Sequence, residues 1–225
     1  MRKIIVLGCS FSTSGHMRSW GEILSGMCNL EMFNLAQAGG SNSLQVKRYQ
    51  RAVIDSEIVE DDIVIWQITS ATRYNKRFKT SNEKDIYDNF REDTPSKPIS
   101  INIFDGEERS DCMHLHPNSK TSDRRNDVAE NLQELIFHII VCKKQNPKTL
   151  VIFGWDDVIP EGWKPEFIKI LENYNIDYIE ESILSYVYRE PQSFDAEYPG
   201  HPDEYSNRHF AEKVLLPKLN SMDWL

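Results

Sequence analysis

Ile4-Ile5-Val6-Leu7-Gly8-Cys9-Ser10-Phe11-Ser12 runs apolar without a break, stops at a glycine and then presents a serine. An unbroken apolar run of this length is what a strand buried on both faces requires, and such strands belong to parallel sheets. Gly8 frees the backbone to bend at the strand exit, so the Ser10 hydroxyl can stand clear of the sheet.

Downstream of this strand, residues 18–28 carry Trp20, Ile23, Leu24 and Met27 on one helical face. A second strand is expected at 31–35, ended by Ala38-Gly39-Gly40. Ser41 or Asn42 then stands where a helix over 43–55 needs its cap, with Leu44, Val46, Tyr49 and Val53 turned inward. Residues 62–68 form a third strand.

The rhythm breaks over 74–120, a polar stretch with prolines at 95 and 98 and one strand-like fragment at 99–104. A structureless loop of that length is unusual, so the stretch reads as an insertion or lid in a single domain covering 1–225. Order returns at 123–145, where Val128, Leu132, Leu135, Ile136, Ile139 and Ile140 fall on one helical stripe that Asn146-Pro147 stops. A strand at 149–153, a helix at 164–173, a strand at 176–179 and a last helix from about 203 to 219 complete the pattern.

Strands alternating with helices predict an α/β fold: a doubly wound, flavodoxin-like sheet of five parallel strands in a three-layer α/β/α sandwich. Sites in such folds lie beyond the carboxyl ends of the strands. Ser10, Gly39-Gly40, Gln67 to Arg73 and Gly154 to Asp157 all follow strand ends.

Composition narrows the function. The chain has 225 residues, 26 basic against 35 acidic, for a net charge of −9. A surface of that sign repels phosphate backbones, so nucleic acid is excluded as the main partner. The four cysteines show no metal-finger spacing, which points to a reduced, intracellular setting without disulfides. His114 and His116 offer two metal ligands without a third nearby, so they are read as loop residues and no metal or cofactor is expected. The apolar start is too short for a signal peptide and no stretch is long enough to span a membrane, so the expectation is a soluble, cytoplasmic protein.

A serine hydroxyl is almost wholly protonated at neutral pH and needs a base to become a nucleophile. His201, in Gly200-His201-Pro202 ahead of the last helix, is the candidate base, with Pro202 suited to the first helical position. Trp155 is a candidate pocket wall, and Asp156 and Asp157 are candidates for substrate hydroxyls or, more simply, helix caps. The plain alternative makes Ser10 a helix cap and His201 a surface loop residue.

Together these segments resemble the SGNH (GDSL-type) hydrolases. Gly8-Cys9-Ser10-Phe11-Ser12 is similar to their first block, Gly-Asp-Ser-x-Ser, with Cys9 in place of the aspartate. Asn34-Leu35-Ala36 followed by Gly39-Gly40-Ser41-Asn42 resembles the second block, and Gly200-His201-Pro202 resembles the last. The resemblance implies an esterase in which Ser10 attacks, His201 is the base, and the Ser10 and Gly40 N–H groups hold the oxyanion. The third block's oxyanion asparagine is missing from Trp66-Gln67-Ile68-Thr69-Ser70-Ala71-Thr72-Arg73, leaving Gln67, Thr69, Asn42 or Arg73 as substitutes. Loss of one such donor costs roughly 10²–10³ in rate.

This strand end resembles that of SGNH-like proteins of bacteriophages. The family's histidine-orienting aspartate falls at Tyr198; Asp195 and Glu197 are the nearby carboxylates, Asp195 is preferred, and a Ser–His dyad oriented by a carbonyl is equally open. The expected substrate is a small or carbohydrate-linked ester. The alternative is a catalytically degenerate binding or virion-associated module.

Overall fold

The computed structural model describes residues 2–13, 17–38, 40–71, 73–78, 109–114, 123–190 and 200–225, and for 73–78, 109–114 and 123–127 their backbone alone. Five strands form one sheet: β1 (Lys3–Leu7), β2 (Glu31–Asn34), β3 (Ile63–Ile68), β6 (Thr149–Phe153) and β7 (Asp177–Ile179). Their order is β2-β1-β3-β6-β7, and every pairing is parallel. The order reverses direction at β1, which makes the crevice between the β1 and β3 exits the switch point where α/β folds place their sites.

Alternate residues of the central strands feed two cores. Ile4, Val6, Ile63, Ile65 and Ile152 pack against α1 (Trp20–Cys28), α5 (Ile183–Arg189) and the C-terminal helices. Ile5, Leu7, Val64, Trp66 and Phe153 pack against α2 (Asn42–Ile54), α3 (Asp123–Gln145) and α4 (Lys164–Asn173). This double burial explains why the strands read as unbroken apolar runs. Leu135 and Ile139 of α3 are fully buried, each worth about 1.5–3 kcal/mol of burial.

Local signals set the helix ends. Ser19 and Glu22 form a capping box at α1, and the Ser41 hydroxyl accepts the Leu44 N–H (3.2 Å) at α2. Asn42 is therefore the first helical residue, not the cap. At the C-terminus α6 (Glu204–Phe210) is capped by Asp203, whose carboxylate accepts the Ser206 N–H (2.8 Å). Pro202 thus precedes the cap and does not occupy the first helical turn; an aspartate carboxylate satisfies an orphan N–H that proline cannot. The helix continues through a π-turn at Ala211–Leu215 into α7 (Leu216–Ser221).

Two differences from the sequence reading stand out. Strands β4 (Arg73–Phe78) and β5 (Arg109–His114) pair antiparallel as a separate two-stranded sheet within the stretch read as an insertion, while the fragment at 99–104 lies outside the described residues. Helix α5 was not anticipated; its cap is the Ser182 hydroxyl, which accepts the Ser185 N–H (3.0 Å). No helix among the described residues is long and apolar enough to cross a membrane.

Candidate active site

Cys9 through Ser12 form a turn at the exit of β1, closed by the Ser12 N–H donating to the Cys9 carbonyl (2.9 Å). That turn sets Ser10 at the mouth of the switch-point crevice. His201 reaches it from the loop before α6: its Nε2 lies 2.7 Å from the Ser10 Oγ. With Nε2 unprotonated, the hydroxyl donates to it, the arrangement a base needs before it takes that proton.

Backbone and ring contacts fix the histidine. Gly200, immediately before it, has φ +87°, a left-handed conformation that favours glycine. The imidazole stands edge-on to Phe11 (centroids 5.0 Å apart, planes at 88°), and Phe11 meets Trp155 in the same manner (5.7 Å, 77°). Phe11 and Trp155 thus make an aromatic wall beside the Ser10–His201 pair. The His201 Nδ1 is buried. Asp195 and Glu197, the candidates to orient it, lie outside the described residues.

A surface clamp joins the two loops. Arg18, after the Cys9–Ser12 turn, donates through Nε to Glu204 at the start of α6 (3.0 Å), and the Asn207 amide donates to the Arg18 carbonyl (3.3 Å). The Arg18 contact holds the Glu204 carboxyl below its ordinary range. The pair is solvent-exposed and screened, so it orients the loops more than it stabilises the fold.

Four of the residues expected to bind the oxyanion or substrate make hydrogen bonds within the fold. The Gly40 N–H donates to the Gln37 carbonyl (2.8 Å), closing the turn into α2. The Asn42 amide pairs with Thr69 in both directions: Nδ2 donates to the Thr69 carbonyl (2.9 Å) and Oδ1 accepts the Thr69 N–H (3.0 Å). The Thr69 hydroxyl donates to the Gly40 carbonyl (3.3 Å). Gln67 is fully buried and hydrogen-bonds Cys9 and Ser12. These four residues tie the β1, β2 and β3 exits to one another, because buried backbone groups at three converging loops must find partners. Arg73 begins β4, and its side chain lies outside the described residues.

Asp156 proves to be structural: Ser182 (2.8 Å) and Ser185 donate their hydroxyls to it, and those hydrogen bonds, Ser185 first, pull its carboxyl below the ordinary range. His209 accepts or donates through Nδ1 to the Tyr186 hydroxyl (2.7 Å). His114 is a backbone position of β5 and His116 lies outside the described residues. Sequence reading missed Phe11 as the ring against His201. Its place beside the serine was the available signal, but a lone aromatic after a turn does not say what it faces.

Neither a family model nor a curated protein matches the sequence. Solved structures do. Similar folds include TesA (TM-score 0.55, 13% identity, 98% of this chain and 99% of that one) and the psychrotrophic esterase EstA from Pseudoalteromonas sp. (0.56, 12%, 98% and 100%). A third is the lipase/acylhydrolase from Enterococcus faecalis (0.51, 12%, 99% and 97%). The architecture is therefore the three-layer α/β/α fold of the SGNH (GDSL-type) hydrolases.

Proposed function

We propose that this protein is a serine ester hydrolase of the SGNH type acting on a small or carbohydrate-linked ester. The observation that carries the reading is the 2.7 Å contact between Ser10 Oγ and His201 Nε2 at the switch point of the sheet. In this reading His201 takes the Ser10 proton as Oγ bonds to the ester carbonyl carbon. The tetrahedral oxyanion is held by the Ser10 N–H, with Arg73 as a candidate second donor. His201 returns the proton to the departing alcohol, leaving an acyl-serine; water, deprotonated by His201, then releases the acid. Asp195 is the carboxylate assigned to orient His201. The wall of Phe11 and Trp155 beside the pair favours a short acyl group, acetyl above long chains.

The test is hydrolysis of p-nitrophenyl acetate against p-nitrophenyl laurate, with Ser10→Ala as control and a fluorophosphonate probe to label the nucleophile. Acetate turnover lost in S10A and labelling at Ser10 support the reading; turnover retained in S10A overturns it.

The locked Gly40 N–H, Asn42 and Thr69 favour a second reading, a binding module on the same fold, carried for example on a virion, with inefficient chemistry. An unlabelled Ser10 in a folded chain would decide for it.

A further inference from the structure

Gln67 is a polar side chain in the middle of a buried sheet, and its amide is spent on the nucleophile turn. It stands near the end of β3, in register with Ile152 of β6, on the face that otherwise carries Ile63 and Ile65. Its Oε1 accepts the Cys9 N–H (3.3 Å) and the Ser12 hydroxyl, the two ends of the turn that presents Ser10. Its Nε2 lies 3.3 Å from the Cys9 Sγ.

Two neighbouring strand exits make room for it. A Cβ at Gly8 would come within 2.5 Å of Oε1, and one at Gly154 within 2.5 Å of Nε2. The amide is thus held between the ends of β1 and β6 with both faces occupied. Which end is the oxygen follows from the Cys9 N–H, which requires an acceptor.

We propose that Gln67 is a positioning residue: by bonding both ends of the Cys9–Ser12 turn it aims the Ser10 hydroxyl at His201, and it does not touch substrate. The inference rests on reading Ser10 as the nucleophile, and it replaces the sequence expectation that Gln67 binds the oxyanion. A side chain with 0% exposure, whose oxygen already accepts two hydrogen bonds and whose nitrogen faces Cys9, is not presented to a ligand.

The test compares Gln67→Met, which keeps the volume and removes the acceptor, with Ser12→Ala, which removes one donor. Displacing a nucleophile by a fraction of an ångström costs rate rather than affinity, so Q67M should lower kcat for p-nitrophenyl acetate about 10–100-fold with KM within about two-fold. S12A should cost about 3–10-fold alone and nothing further in the Q67M background, since the two act through one contact.

A third readout needs no turnover. Amide exchange at Cys9 should accelerate about ten-fold or more in Q67M while Ile5 and Ile65 keep wild-type rates. Unchanged kcat in folded Q67M, additive losses in the double variant, or unchanged Cys9 exchange each overturn the inference. If Q67M does not fold, S12A decides, and wild-type kcat in S12A is the overturning result. A wild-type chain without esterase activity or probe labelling refutes the proposed function instead, and the exchange measurement still answers for Gln67.

Discussion

Ser10 and His201 stand 191 residues apart in the chain and 2.7 Å apart in space. Local structure alone does not bring them together: the first strand must exit beside the last helix, which requires the β2-β1-β3 order and the packing of α1 on α6. A chance surface histidine does not meet a strand-exit serine this way while its ring is held edge-on by the next residue, Phe11. The pair is a product of the whole fold.

If His201 is the base of the proposed reaction, removing it separates chemistry from stability. His201→Ala deletes a half-buried ring that stands against Phe11, while general base catalysis is worth about 10²–10⁴ in rate. We expect kcat for p-nitrophenyl acetate to fall at least about 100-fold and the melting temperature to move by no more than about 3 °C. Steady-state kinetics beside a thermal melt checks both, and a variant with wild-type kcat removes His201 from the mechanism.

The sheet was legible because its strands are buried on both faces, so residues 4–7, 63–68 and 150–153 read as apolar runs with no polar interruption except Gln67. The β4–β5 pair was illegible for the converse reason: RYNKRF and RSDCMH are polar and charged and contain no apolar run. Helix α5 was hidden by its composition, since Ile, Tyr and Val favour strands and the seven residues ILSYVYR fit either state. The site divided along the same line. Residue type and position were enough to single out Ser10 and His201, which the structure brings into contact. The hydrogen bonds of Gly40, Asn42, Gln67 and Thr69 to neighbouring loops were not legible, because type does not say whether an amide faces a cavity or a neighbouring loop.

Asn42 offers the sharpest check on whether these bonds hold the fold or serve the reaction. Its amide makes two bonds to the Thr69 backbone, and Asn42→Ala leaves a buried N–H and C=O without partners. The cost is about 2–4 kcal/mol, which lowers the melting temperature by about 5–10 °C in a chain of this size. Activity per folded molecule should stay within about three-fold of wild type, against the 10²–10³ loss expected of an oxyanion donor. Kinetics at a temperature well below both melts distinguishes the two.

Thiol chemistry reports on the core beside Ser10. Cys9 and Cys142 are fully buried, and Cys28, at the end of α1, is partly exposed. Burial pushes both the Cys142 and the Cys28 thiol up, so neither is a ready thiolate. Access then decides: in the native protein iodoacetamide at pH 8 should modify Cys28 at least about ten-fold faster than Cys9 or Cys142. Mass spectrometry of time points, with a denatured control in which all four cysteines of the chain react, measures this; early labelling of Cys9 would contradict the closed turn around Gln67.

Asp156 predicts an acid limit for the joint between β6 and α5. Its carboxylate accepts the Ser182 and Ser185 hydroxyls, and these bonds hold its pKa below the ordinary 3.8. A carboxyl depressed in the folded state contributes stability that is fully present above its unfolded pKa and is lost as pH falls through the lower folded value. The residue is exposed, so the contribution is modest: Asp156→Ala should lower the melting temperature by about 1–2 °C at pH 7. Urea titrations between pH 7 and pH 3 should show the wild-type advantage holding down to about pH 4 and shrinking below it. A difference between the two proteins that persists unchanged to pH 3 would mean that the Asp156 charge is not what secures α5.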